Sequence, residues 1–154
     1  MADDDIRKFQ YHGSDTLLLP AERDAFATLK EWLSGIAMEL KLEEKTRKQL
    51  LISADEIFTN IASYGYPREG GVAKVEVEIA VKAEILRMIF SDSGVEYNPL
   101  KNSSPDLSKP LETRDVGGLG IFIVKKLMDS VEYKRENNQN ILILEKHLVK
   151  DVKK

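Results

Sequence analysis

The sequence predicts an α/β (α+β) two-layer sandwich, with helices laid against a mostly antiparallel sheet. Three observations carry this. Apolar residues recur at spacings of three and four through Ala25–Leu40 and again through Leu50–Ala62, the period of a helix with one buried face. They recur at every second position in Val72–Val81, the period of a half-exposed strand. The remaining apolar runs are short and come in pairs across tight turns, which builds a sheet from hairpins and leaves the helices to cover it.

Taken in order, the acidic tail Met1–Asp5 is expected to fray. Ile6–Tyr11 and Thr16–Leu19 form a small hairpin around His12–Asp15. Pro20 is placed in the first turn of a helix, where its missing N–H costs nothing, with Glu22 and Asp24 favouring the helix dipole. That helix runs to Leu40 and takes Trp32 into the core. A second helix spans Glu43–Ser63, with Leu50, Leu51, Ala54, Ile57, Phe58, Ile61 and Ala62 on one face and Gln49, Ser53, Glu56, Asn60 and Ser63 on the other. Gly65, Pro67 and Gly70–Gly71 end it. Val72–Val81 and Glu84–Ser91 pair through a turn at Lys82–Ala83. The stretch from Tyr97 to Val116 has little periodicity and is rich in Asn, Ser, Pro and charge, as a functional lid would be. Gly117–Gly120 then opens a helix with Ile121, Val124, Leu127, Met128 and Val131 on one face. Glu132–Arg135 and Ile141–Lys146 form a hairpin around Asn137–Asn138, residues that tolerate the left-handed conformation. Val149–Lys154 is a basic end expected to fray.

The 154 residues suit one domain, 1–154. A chain of this length buries roughly 70% of its unfolded surface, so no disulfide or metal staple is required. The net charge of -3, with both signs interspersed, argues against direct nucleic-acid binding, which calls for a basic stripe. The absence of cysteine excludes disulfides, thiolate metal sites and a cysteine nucleophile. No apolar run approaches the ~18 residues of a membrane span, and the acidic start is unlike a signal peptide, so the expectation is a cytoplasmic chain off the membrane.

Three segments carry candidate chemistry. Glu56 and Asn60 stand one helical turn apart, so their side chains are neighbours. A carboxylate there can take a proton from a hydroxyl, and an amide oxygen can ligate Mg²⁺. Alone, the pair reads first as a solvated helix face. Asp92-Ser93-Gly94 follows a strand and is either an ordinary turn or an acceptor for a buried amino group, with Gly94 letting a base approach. Gly117-Gly118-Leu119-Gly120 before a helix is either a flexible linker or a set of backbone N–H groups aimed at phosphate. It matches neither a dinucleotide-binding fingerprint nor a P-loop. His12 and His147 are isolated and read as surface residues.

The order and spacing of Asp55–Pro67 (DEIFTNIASYGYP), Asp92–Pro99 (DSGVEYNP) and Gly117–Asp129 (GGLGIFIVKKLMD) resemble the GHKL ATP-binding superfamily. Within it the chain looks like the anti-sigma-factor serine/threonine kinases of bacteria. The likeness spans nearly the whole chain and implies the GHKL (Bergerat) fold, with a mostly antiparallel mixed sheet and an ATP lid at Asn98–Val116. It implies Glu56 as general base or as the residue that orients the nucleophile, Asn60 as Mg²⁺ ligand, and Asp92 at the adenine amino group with Gly94 beside the ring. Gly117, Gly118 and Gly120 would lie at the phosphates of ATP. It also implies phosphoryl transfer to a serine or threonine of a small anti-anti-sigma (STAS) protein, control of a sigma factor, and a homodimer. The rival expectation is a regulatory module that binds ATP and sequesters a partner without transfer. Two positions depart from the family pattern. Ile61 stands where alanine is frequent, and Tyr64 where histidine is frequent.

Overall fold

The computed structural model describes residues 15–64, 74–101 and 116–148. Among the described residues five strands, β1 (15–20), β2 (74–82), β3 (85–92), β4 (130–136) and β5 (139–147), form one sheet in the order β1-β2-β3-β5-β4, with every pairing between them antiparallel. The expected strand Ile6–Tyr11, the turn at Gly65–Gly71, most of the lid-like loop and the basic end lie outside the described residues.

Strand β1 (Asp15–Pro20) is an outer strand of the described sheet. Pro20 ends this strand rather than starting a helix. A short 3₁₀ turn at Arg23–Ala25 follows, and α1 begins only at Phe26, running to Glu39. The Arg23 guanidinium donates to Ser63 Oγ at 2.7 and 3.1 Å and ties this turn to the end of the next helix. Helix α1 closes with Lys41 at φ 55°. The Leu42 N–H reaches Ala37 O at 3.1 Å and the Lys41 N–H reaches Met38 O at 3.0 Å, satisfying two carbonyls of the last turn.

Helix α2 (Glu44–Tyr64) starts where the Glu43 carbonyl accepts from the Arg47 N–H and the Glu43 carboxylate accepts from the Thr46 hydroxyl. Leu50, Ala54, Ile57 and Phe58 are buried, as the periodicity predicts. Ser53, expected on the polar face, is also buried. The reason is tertiary: α2 packs against α1 on one flank and against α3 (Val116–Leu127) on the other, so only a narrow polar stripe stays open.

Strands β2 (Lys74–Lys82) and β3 (Ile85–Asp92) join at Ala83–Glu84, both with positive φ, one residue later than expected. Val75, Val77 and Ile79 point inward. Ala80 on the outer face is buried too, paired across the ladder with Arg87, whose guanidinium donates to Glu145 at 2.9 and 3.0 Å. Strands β4 (Ser130–Glu136) and β5 (Gln139–His147) join at Asn137–Asn138, with φ of 54° and 61° as the sequence suggests. Val131, expected on the last helix, belongs to β4. Helix α3 is stopped early because Lys146 Nζ caps the Leu127 carbonyl at 2.7 Å and the Asp129 N–H bonds the Glu145 carbonyl.

All described helices lie on one face of the sheet and share one core, in which Leu29, Leu33, Phe58, Phe90, Val124 and Leu144 are fully buried. Trp32 is only half-buried, at the margin of that core. Among the described residues no helix is long and apolar enough to cross a membrane.

Lys41 occupies a left-handed position where side chains cost about 1–2 kcal/mol. Lys41→Gly releases that strain and adds about 0.4–1 kcal/mol of unfolded-chain freedom, so the net gain is up to about 1 kcal/mol. Urea unfolding should show a higher midpoint, and a lower one would refute the assignment of strain.

Candidate functional site

A small apolar cleft opens between α2 and the ends of β3, β4 and β5. Its walls are apolar: Ile57 and Ile61 from α2, Phe90 and Leu142 from the sheet, and Pro99 from the loop after β3. The polar groups that reach it are Asn60, Asp92, Tyr97, Tyr133 and Asn140.

Asp92 is the last residue of β3 on the inward face, 3% exposed, and directly opposite Asn140 on β5. Its Oδ1 accepts from the Gly94 N–H at 2.9 Å and from Asn140 Nδ2 at 3.1 Å. Burial pushes its carboxyl above the usual carboxylate range; the bonds from Asn140 and Gly94 and the charge of Arg135 pull the other way. The backbone just beyond is held from β4 and β5. Arg135 donates to Gly94 O at 2.9 Å, and Asn140 Nδ2 donates to Val95 O at 2.9 Å. A carboxylate so placed is an acceptor for a ligand amino group at the closed end of an apolar slot.

Asn60 projects into the same cleft from α2, and its buried Nδ2 has no hydrogen-bond partner. An orphaned buried amide is costly unless something absent completes it. One turn earlier, Glu56 leaves the helix toward α3, and its carboxyl group lies against Gly120. A Cβ built on Gly120 would stand 3.2 Å from Glu56 Cδ and collide with Oε2. Burial raises the Glu56 carboxyl above its usual range, and the neighbouring Asp55 charge adds to this. Gly117 and Gly118 fall in the first turn of α3, whose N–H groups have no partner within the helix. Gly120 lies one turn further in, where its role is to leave room for Glu56. Of the sequence-predicted residues, the structure brings Asn60 and Asp92 into the cleft wall with Gly94 bonded to Asp92, while Glu56 meets Gly120 at the contact between α2 and α3, outside the residues that line the cleft. Among the described residues no group of three acidic or histidine side chains could hold a metal by itself.

Fold and site together define a two-layer sandwich with an apolar cleft between helix and sheet, edged by a buried carboxyl group. The family model described as histidine kinase-like ATPase domain matches residues 19–146, and the chain belongs to that family. It is 27% identical over 134 residues to the serine/threonine-protein kinase BtrW of Bordetella bronchiseptica, covering 87% of this chain and 94% of that one. It is 22% identical over 129 residues to the serine-protein kinase RsbW of Bacillus mycoides, covering 81% and 79% respectively. A solved structure of the RsbU and RsbW domains of Rv1364c from Mycobacterium tuberculosis superposes with a TM-score of 0.62 at 14% identity, over 90% of this chain and 35% of that longer one. The histidine kinase domain of the Erythrobacter litoralis EL346 blue-light activated histidine kinase gives 0.53 at 14% identity, over 84% and 62%. These likenesses fix the fold as that of the GHKL ATPases.

The residues present fit a nucleotide: the orphaned Asn60 Nδ2 is a donor for a ligand oxygen at the cleft, and both donors to Asp92 go to Oδ1, which leaves Oδ2 for an amino group of the base. Sequence reasoning missed Asn140, Tyr133 and Arg135. The signal was available for Asn140, a polar residue in register with the inward-facing Leu142 and Leu144, but the strand was started one residue too late to include it.

Because its folded value is raised, Asp92 adds stability below the ordinary carboxylate value, and that contribution is lost as pH rises through the folded value. Asp92→Asn removes the buried charge. The ligand-free variant should therefore melt at or above the wild-type temperature at pH 8 while ATP no longer raises its melting point. A variant still stabilised by ATP as the wild type is would exclude Asp92 from the ligand contact.

Proposed function

We propose that this chain is an ATP-dependent protein serine/threonine kinase of the anti-sigma type, which phosphorylates a serine or threonine on a small anti-anti-sigma (STAS) protein in the cytoplasm and thereby frees or restrains a sigma factor. The observation that carries the reading is the Glu56 carboxyl, lifted in pKa by burial and seated on Gly120, one helical turn from an unpartnered Asn60. The kinase names of the relatives support the same reading.

The chemistry follows from these residues. Asp92 Oδ2 accepts the adenine amino group, with Gly94 beside the ring and Phe90 and Ile57 bounding the slot. The α3 N–H groups at Gly117 and Gly118 face the phosphates, where the helix dipole favours negative charge. Asn60 would hold Mg²⁺, which supplies charge neutralisation at the phosphates when bound. Glu56 accepts the proton of the protein hydroxyl as its oxygen bonds to the γ-phosphorus; the bond from that phosphorus to the bridging oxygen breaks, and ADP leaves with both electrons. The homodimer would use the outer face of the sheet, where Ile89, Ile141 and Ile143 line a shallow depression. Light scattering that gives the mass of one chain at micromolar concentration would exclude it.

Glu56→Gln should cut transfer of label from γ-labelled ATP to a STAS protein by about 100-fold or more, with ATP affinity within about threefold of wild type. Gly120→Ala should move the rate in the same direction with Glu56 still present, because its Cβ displaces the carboxyl group. Asn60→Ala should weaken Mg-ATP binding instead. Wild-type transfer should fall as pH drops through the raised Glu56 value. Undiminished transfer by Glu56→Gln would leave the sequestering module as the better reading.

A further inference from the structure

We propose that Asn140 is a positioning residue for base selectivity: it helps saturate one oxygen of Asp92, leaves the other oxygen of that carboxyl group to accept from a ligand, and so selects a base edge that carries an amino donor. The inference deepens the kinase reading and rests on its assignment of Asp92 to the base.

An asparagine amide offers two N–H donors and two lone pairs. Asn140 uses all four. Its Nδ2 donates to Asp92 Oδ1 at 3.1 Å and to Val95 O at 2.9 Å. Its Oδ1 accepts from the Tyr133 hydroxyl at 2.6 Å and from the Tyr97 N–H at 3.2 Å. Nothing is left over for a ligand, so Asn140 does not read the base itself. The two donors on its oxygen also fix which way round the amide lies, since a half-turn would set Nδ2 against the Tyr97 N–H and leave Asp92 facing an acceptor. The Tyr133 hydroxyl remains a reliable donor because burial, with the charge of Glu96 adding, pushes its pKa up.

The consequence falls on Asp92. Its Oδ1 is filled by Gly94 and Asn140, so the carboxyl group cannot turn without leaving those donors unpaired in a buried place. A base with a carbonyl oxygen at the same edge would meet Oδ2 acceptor to acceptor. Sites that hydrogen-bond one group reject the analogue lacking it far more strongly than apolar pockets reject a change of size. The other charged or titratable groups around the carboxyl are Arg135 and Tyr133 on β4 and Glu96 in the loop.

The test compares wild type, Asn140→Leu, Asn140→Asp and Tyr133→Phe in the full chain. Dissociation constants are measured for ATP and for ITP, in which a carbonyl oxygen replaces the amino group, between pH 6 and pH 8. Wild type should prefer ATP by about 100-fold or more. Asn140→Leu should lower that preference at least about tenfold, through weaker ATP binding with ITP nearly unchanged. Asn140→Asp sets a second carboxyl beside Asp92, so its preference should be lost at pH 8 and return toward pH 6, as the shared proton restores a donor. Tyr133→Phe should shift the preference in the same direction by less.

If a folded Asn140→Leu weakens ATP and ITP equally, Asn140 only braces the strand and the inference fails. Should that variant not fold, Tyr133→Phe with an unchanged preference is the overturning result. A wild type that binds ATP and ITP alike removes Asp92 from the base, and one that binds neither removes the nucleotide site; both are distinct from a failure of Asn140 alone.

Discussion

The arrangement depends on one buried charge. Asp92 ends β3 on the core side of the sheet, 3% exposed, and an isolated carboxylate in such a place would be expensive. The surrounding chain is built to make it tolerable. Asn140 and Gly94 donate to it directly, Tyr133 and Tyr97 hold Asn140, and Arg135 pins the Gly94 carbonyl. Partly satisfied, such a network would be worse than an apolar core; here both of these donors converge on Oδ1. The raised pKa of Asp92 measures the stability given up for it.

Where α3 packs on α2 the constraint is steric. The Glu56 carboxyl group lies against Gly120, and the missing side chain of that glycine is the space the carboxyl group fills. Burial at that contact lifts the Glu56 pKa, so the packing of one helix on another tunes this carboxyl group. The two carboxyl groups share an upward shift with a common first cause, burial, but differ in their partners. Asp92 is hydrogen-bonded on one oxygen, whereas Glu56 sits beside a second negative charge, Asp55.

Much of this was legible in the residues because periodicity reports burial directly. The inward faces of β2 and β3, the apolar face of α2 and the Asn137–Asn138 turn follow from local pattern and backbone preference. Errors cluster where tertiary contacts override local preference. Pro20 suits a helix start equally well, but an outer strand of the described sheet takes it. Ser53 belongs to the polar stripe of an isolated helix, yet it is buried because α2 has neighbours on both flanks. Val131 continues the apolar pattern of α3, but capping by Lys146 and pairing with β5 start a strand first.

The sequence by itself determined the two-layer class, the hairpin turns and the segments that carry Glu56, Asn60, Asp92 and the α3 glycines, since each rests on short-range spacing. Only the tertiary structure decided how those residues work together. Asn140 is 48 positions from Asp92, and their hydrogen bond exists because β3 pairs with β5 rather than with β4. Gly120 holds Glu56 because α3 packs across α2. Contacts between residues so far apart along the chain are fixed by strand order and helix packing, and no local pattern encodes them.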